Sequence, residues 1–422
     1  MKKTLLAAAL LAGFAGAASA QSSVTLYGVV DVGVLSQTVK NGSNFGSVSR
    51  NNTGMASGQQ SGSRWGLKGV EDLGNGLSAN FVYEAGVNVG NGTDAGNGFA
   101  RQSTLGVVSK SWGAIDLGRR TTPGTVAFSG IDPFNQSFGT ASLDSSMGMS
   151  FARYSNMLMY STPNISGFSG NIGYSFDTGA NNNGSSATNN GARITNAPDY
   201  GDSVAGFGST YKTRAFGLGL RYGSGPLVVA GTLDIVMPAS FSSTQYVAIS
   251  STSATNKLAS YTQNAKNVTA WNLGATYDFK VVKVHAAYGQ NINGLLEGTS
   301  LGTNAGSGDT NSKGGYLFNQ GARTSSWMLG LSAPVGASGS VFLSWQQMMA
   351  GGDFKNFTTT ASNTTTASKN ITSATQNVGS IGYSYSLSKR TNLYAYYSYM
   401  SNVAMITGAQ SNSLGVGVRH LF

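Results

Sequence analysis

Two histidines, sixteen carboxylates and no cysteine are the groups with which this chain could do chemistry. Without Cys and with so little His, metal clusters and Cys–His nucleophilic chemistry are all but excluded. His285 alternates with Val284 and Ala286 in an extended pattern, so it is expected to point into a solvated interior rather than serve as a base. His420 falls near the end of another alternating segment and reads as structural. The adjacent carboxylates Glu71 and Asp72 sit at a turn with no pocket for acid–base work. The glycines of GLGLRYG, residues 217–223, suggest a nucleotide loop, but they lie inside a strand pattern with no helix after them. They read instead as room for close strand packing. No enzyme activity, cofactor or metal is therefore expected. What remains is fixed charge: Arg64 and Lys68 alternate with Trp65 and Leu67, so a pair of cations shares one face of an extended segment and a pair of large apolar groups the other.

Such segments recur along the chain. Val24, Leu26, Val30 and Val32 oppose Thr25, Tyr27 and Asp31. Leu77, Ala79, Phe81 and Tyr83 oppose Ser78, Asn80 and Glu84. Phe168, Ile172, Tyr174 and Phe176 oppose Ser169, Asn171 and Ser175, and Trp271, Leu273, Ala275 and Tyr277 oppose Asn272, Gly274 and Thr276. The last segment, SNSLGVGVRHLF, alternates up to Phe422. Period-two alternation over about ten residues is the strand signature, and no long segment has the helical period.

Seven short links (EDLGNG, SKSWG, TPNISG, GSGP, DFKVVK, PVGASG, SLSKRT) alternate with eight longer polar stretches, near 35–62, 89–98, 120–150, 179–210, 237–266, 291–322, 350–374 and 402–410. That spacing gives about sixteen strands with all long loops on one rim, the layout of an up-and-down barrel in an outer membrane. The opening MKKTLLAAALLAGFAGAASA has the basic start, apolar run and small-residue site of a secretory signal peptide, with cleavage expected after Ala20 and residues 21–422 forming one barrel domain. Losing Lys2 and Lys3 with this leader lowers the formal charge from +10 to +8. The basic balance is scattered, with no Lys/Arg-rich run to suggest a nucleic-acid partner.

The chemistry of the two faces decides between a soluble sandwich and a membrane barrel. Only 10% of the residues are charged and 59 are Gly, so the polar face is too weakly polar to cover a soluble protein but suits a water-filled lumen. The apolar face then meets lipid, where an Arg or Lys at the midplane would cost about 2–4 kcal/mol. Backbone groups in hydrocarbon must all be paired, so the last strand must close on the first, at VTLYGVV, with Phe422 at the interface.

On these residues the chain resembles the general porins of Gram-negative outer membranes, of the beta-proteobacterial type. The matching stretches are SSVTLYGVVDVGV, SGSRWGLKGVEDLGNGLSANFVYE, AIDLGRR, RYSNMLMYSTPNISGF and the ending GVGVRHLF. The resemblance implies a sixteen-stranded antiparallel barrel in the cell outer membrane, among lipid and lipopolysaccharide. It further implies a homotrimer that passes small hydrophilic solutes and inorganic ions. It also implies that the third long loop, residues 121–150, folds inward as a constriction, and that its Asp132 and Asp144 face a basic ladder of Arg64, Lys68, Arg101, Arg119 and Arg153, with Arg120 as an alternative to Arg119.

A narrow pore with several fixed arginines and few carboxylates attracts anions, so a mild anion preference is expected. The competing reading is that each Arg merely pairs with a lumen carboxylate such as Asp31, Glu84 or Asp116. Two other functions stay open: a solute-specific channel with a sugar or aromatic track such as Tyr394 and Tyr396, and a secreted β-rich adhesin using the loops near 179–210 and 350–374.

Overall fold

The computed structural model describes residues 23–40, 49–95, 98–148, 153–178, 213–237, 242–248, 257–264, 266–295, 317–352, 358–359, 369–370, 374–405 and 407–422. The expected leader, the loop tract near 179–210 and most of the tracts near 291–322 and 350–374 lie outside them. The wall consists of β1 (Ser23–Lys40), β2 (Arg64–Gly74), β3 (Leu77–Asn88), β4 (Gln102–Ser109), β5 (Gly113–Thr121), β6 (Arg153–Ser161), β7 (Phe168–Ser175) and β8 (Arg214–Ser224). It continues through β9 (Leu227–Met237), β10 (Val268–Asp278), β11 (Lys283–Leu295), β12 (Leu317–Val335), β13 (Gly339–Gly352), β14 (Gln376–Ser386), β15 (Thr391–Ser401) and β16 (Gln410–Leu421). Each strand pairs antiparallel with the next, and β16 pairs with β1, so sixteen strands close into a barrel.

Closure runs from Val29 opposite Leu421 to Lys40 opposite Gln410. Phe422 extends it: its N–H donates to the Gly28 carbonyl at 3.1 Å, and the Gly28 N–H donates back at 3.2 Å. The ring of Phe422 occupies the space a Gly28 side chain would need.

The alternation sorts the wall as a membrane requires. Leu26, Leu105, Leu220, Leu273, Leu329, Trp345 and Leu414 are exposed on the outside, whereas Asp31, Asn272, Gln346 and Ser398 are buried within. The seven short links are the short turns. Between β2 and β3, Asn75 and Gly76 both take positive φ, 52° and 77°, the two-residue hairpin that suits strand twist.

Some strands outrun the expected boundaries. β1 continues through Lys40, pairing with β16 on one side and with a loop strand, Ser49–Ser57, on the other. A second hairpin, Ser242–Ala248 with Lys257–Asn264, lies in a tract read as loop. Backbone pairing can carry polar strands such as these past the lipid without an apolar face to announce them.

The third long loop begins with a short helix, α1 (Pro123–Ala127), which the sequence reading did not anticipate. Thr122 caps it, its Oγ1 accepting the Thr125 N–H at 3.2 Å, and Pro123 opens the first turn, where no N–H is needed.

Candidate constriction site

Glu84 of β3 is the centre of the basic wall. Its carboxylate accepts Arg101 Nε at 2.7 Å and the Tyr27 hydroxyl at 3.0 Å, and Arg64 Nε stands 3.4 Å away. Arg64 also donates to the Gly62 carbonyl at 2.8 Å and to Ser61 Oγ at 3.1 Å. Lys68 lies over the Tyr27 ring, 5.3 Å from its centre. Arg153, the first residue of β6, is within electrostatic reach of Arg64, Arg101, Arg119 and Glu84. The structure thus brings Arg64 and Arg101 onto one carboxylate, with Arg153 in its field and Arg119 beside Arg153. Arg419 of β16 acts on Arg64 from the other side. It went unremarked as a ladder member, although it alternates with Val418 and so marks the inner face.

A β-bulge settles Arg119 and Arg120. The register between β5 and β6 shifts between Gly118 and Arg120, and Gly118 takes φ 125°. The extra residue re-aims a side chain. Arg120 pairs with Asp116, and Arg119 donates to the Ala100 carbonyl at 2.5 Å and to Ser155 Oγ at 2.9 Å. Gly118 just before the arginine pair was the signal.

Asp132 does something other than was expected of it. Asp132 is buried and its carboxylate accepts the N–H groups of Phe134, Gln136 and Leu143, each at 2.9 Å. It staples the loop to itself instead of facing the arginines. Burial pushes its carboxyl up to about 6, while the three backbone donors oppose the rise. Asp144 is also buried, and its charge acts on Asp132. The carboxylate that Arg64 and Arg101 meet is Glu84, on the wall. Pairing, the bland reading, describes Arg64, Arg101 and Arg120.

The rest of the loop lies on the opposite wall, out along it and back. Phe128, Ile131, Leu143 and Met147 pack on Ala230, Ala287 and Met328. Phe134 and Phe138 pack on Tyr394 and Tyr396, and the Phe138 N–H donates to the Gln59 carbonyl at 2.7 Å. Wall side chains cap the loop's carbonyls. Arg221 of β8 donates to Ala127 O at 2.9 Å and Ser129 O at 2.5 Å. His285 of β11 donates from Nδ1 to Ile131 O at 2.9 Å. Ser326 of β12 reaches Ser146 O at 2.5 Å, Gln346 of β13 reaches Ala141 O at 3.0 Å, and Gln376 of β14 reaches Ser145 O at 2.6 Å.

The covering loop overturns three further expectations. His285 is not solvated: the loop covers it, and its Nε2 faces Ser332 Oγ at 2.9 Å. Tyr394 and Tyr396 are no open track, because the Phe138 ring packs edge-on against them at 5.6 and 5.5 Å and the Tyr394 hydroxyl donates to Asp31 at 2.5 Å. Gly217 and Gly219 make room for the loop: the Cβ of a residue at 219 would overlap the Pro123 carbonyl oxygen.

The family model described as Gram-negative porin matches residues 7–404. An outer membrane porin protein of Bordetella pertussis is 41% identical over 440 residues, covering 100% of both chains. Outer membrane porin protein 32 of Delftia acidovorans is 30% identical over 449 residues, again covering 100% of both. Among solved structures, an anion-selective porin from Comamonas acidovorans superposes with a TM-score of 0.60 at 24% identity, over 95% of this chain and 100% of that one. The chain belongs to the Gram-negative porin family: it is an outer membrane porin, a channel and not an enzyme.

Proposed function

We propose that this porin is a general diffusion pore with a mild preference for anions, and that Arg64, Lys68, Arg101, Arg119 and Arg153 are the residues that confer it. The observation that carries this reading is the imbalance at the basic wall: Arg64 and Arg101 share the single carboxylate of Glu84, and Arg153 lies in the same field. Two cations on one carboxylate leave net positive charge to act on the lumen. Charge fixed on a low-dielectric wall concentrates counter-ions more strongly than the same charge on an open surface. The covered state of Tyr394 and Tyr396 favours non-specific passage of small hydrophilic solutes and inorganic ions over an aromatic track.

With the family resemblance come three further elements of the proposal. The leader is removed after Ala20, residues 21–422 form the barrel domain, and the mature protein sits as a homotrimer among outer-membrane lipid and lipopolysaccharide. Mass spectrometry of the purified protein and cross-linking in outer-membrane fractions check these.

Zero-current potentials across a planar bilayer with a KCl gradient test the selectivity. An anion-directed potential is expected from the wild type. A cation-directed potential would defeat the proposal.

A further inference from the structure

We propose that a row of lumen-facing glycines on the wall behind the constriction loop, Gly219, Gly274, Gly330 and Gly382, sets the bore of the pore by fixing how deep that loop lies. This rests on the reading of the chain as a diffusion pore.

The four glycines sit on alternate strands, β8, β10, β12 and β14, and each lies directly beneath a different part of the loop. Glycine inside a strand weakens it and needs a local reason. Backbone freedom is not that reason, because none of the four takes a positive φ. The reason is close approach. A Cβ at Gly219 would overlap the Pro123 carbonyl oxygen and stand 2.8 Å from Ala127 Cβ. At Gly274 it would come within 2.6 Å of Ile131 Cγ2 and 2.9 Å of Phe128 Cζ. At Gly330 it would meet Pro133 Cγ at 2.6 Å, and at Gly382 Phe134 Cε1 at 2.8 Å.

The loop cannot escape along the wall, because Arg221, His285, Ser326, Gln346 and Gln376 hold its carbonyls in place between these notches. Added volume behind it is relieved in the direction away from the wall, towards the lumen. Overpacking of a close-packed contact is answered by shifts of the neighbouring groups. Residues that no solute touches would thus control what fits through.

The experiment is single-channel conductance of the full chain, refolded and reconstituted in planar bilayers. Each Gly→Ala variant is expected to conduct less than the wild type. Gly219→Ala is expected to lose most, since loop backbone must move, and Gly382→Ala least, since a ring end can turn. Gly330→Ala with Pro133→Ala is expected to regain conductance towards the wild-type value, because the loop atoms in conflict are gone and only the 3.0 Å approach to the Leu343 carbonyl of the wall remains. Gly231→Ala, on the lipid face beside Leu273, is expected to change nothing. A folded Gly274→Ala and Gly330→Ala with wild-type conductance would overturn the proposal, as would a loss at position 330 that Pro133→Ala does not relieve. Where Gly330→Ala alone does not fold, rescue of folding by Pro133→Ala supports the proposal and lack of rescue counts against it. A wild type that forms no pore instead defeats the diffusion-pore reading, before the variants are compared.

Discussion

The two halves of the inner wall use the same alternation for opposite purposes. From β1 to β6 the inward positions carry long cations gathered on Glu84, and they face the lumen. From β8 to β14 they carry glycines, amides, a histidine and an arginine, and they face the constriction loop. One arc gathers its cations on a wall carboxylate and the other holds a piece of the same chain. The contrast shows that an inward-facing residue in a barrel has two kinds of partner, water or a folded-in loop, and that glycine notches interspersed among the polar side chains mark the second.

The largest expected effect strikes the basic arc. Arg64→Ala combined with Arg153→Ala removes two positive charges and leaves Glu84 held by Arg101 and Tyr27, so anion preference should be abolished. Zero-current potentials measure it, and an unchanged value would reduce the arginines to structural pairing.

Next comes the staple of the loop arc. Asp132→Ala leaves the N–H groups of Phe134, Gln136 and Leu143 without their acceptor. Each such loss costs about 1–3 kcal/mol. The loop should loosen locally, and current noise should rise while the barrel's resistance to heat in detergent persists.

A smaller effect follows from pH. The Asp132 carboxyl is held at about 6, above its ordinary 3.8, so the folded loop binds this proton more tightly than the unfolded chain does. Its contribution to stability is full below the lower value and is lost as pH rises through about 6. Channel noise should therefore be lower at about pH 5 than at about pH 8, and Asp132→Asn should remove this dependence. The same recordings on the two proteins decide it.

The smallest concerns Asp234 of β9, fully buried beside Gly124, with neither carboxylate oxygen hydrogen-bonded among the described residues. A buried carboxylate without donors is destabilising. Asp234→Asn should raise the thermal unfolding midpoint and leave conductance as it is.

The barrel was legible in the sequence because alternation and turns are local. Trp65 and Leu67 against Arg64 and Lys68 already say which face is wet. The basic arc was legible too, since its arginines sit in short motifs, yet the bulge at Gly118 shifted the register by one residue and hid how both Arg119 and Arg120 find partners. The loop arc was not legible. The notch at Gly274 is explained by Ile131 and Phe128, and the burial of His285 by the Ile131 carbonyl, contacts that join residues over a hundred positions apart. Periodicity tells which way a side chain points and nothing of what lies across from it. Asp132 had a local clue, the IDPFNQ turn, in which an Asp accepts N–H groups two and four residues on.

The most direct measurement is the zero-current potential of Glu84→Gln beside the wild type in the same KCl gradient. If the basic arc acts through its net charge, removing the shared carboxylate drives the potential further towards the anion limit. A potential that stays put, or that moves towards cations, contradicts the account.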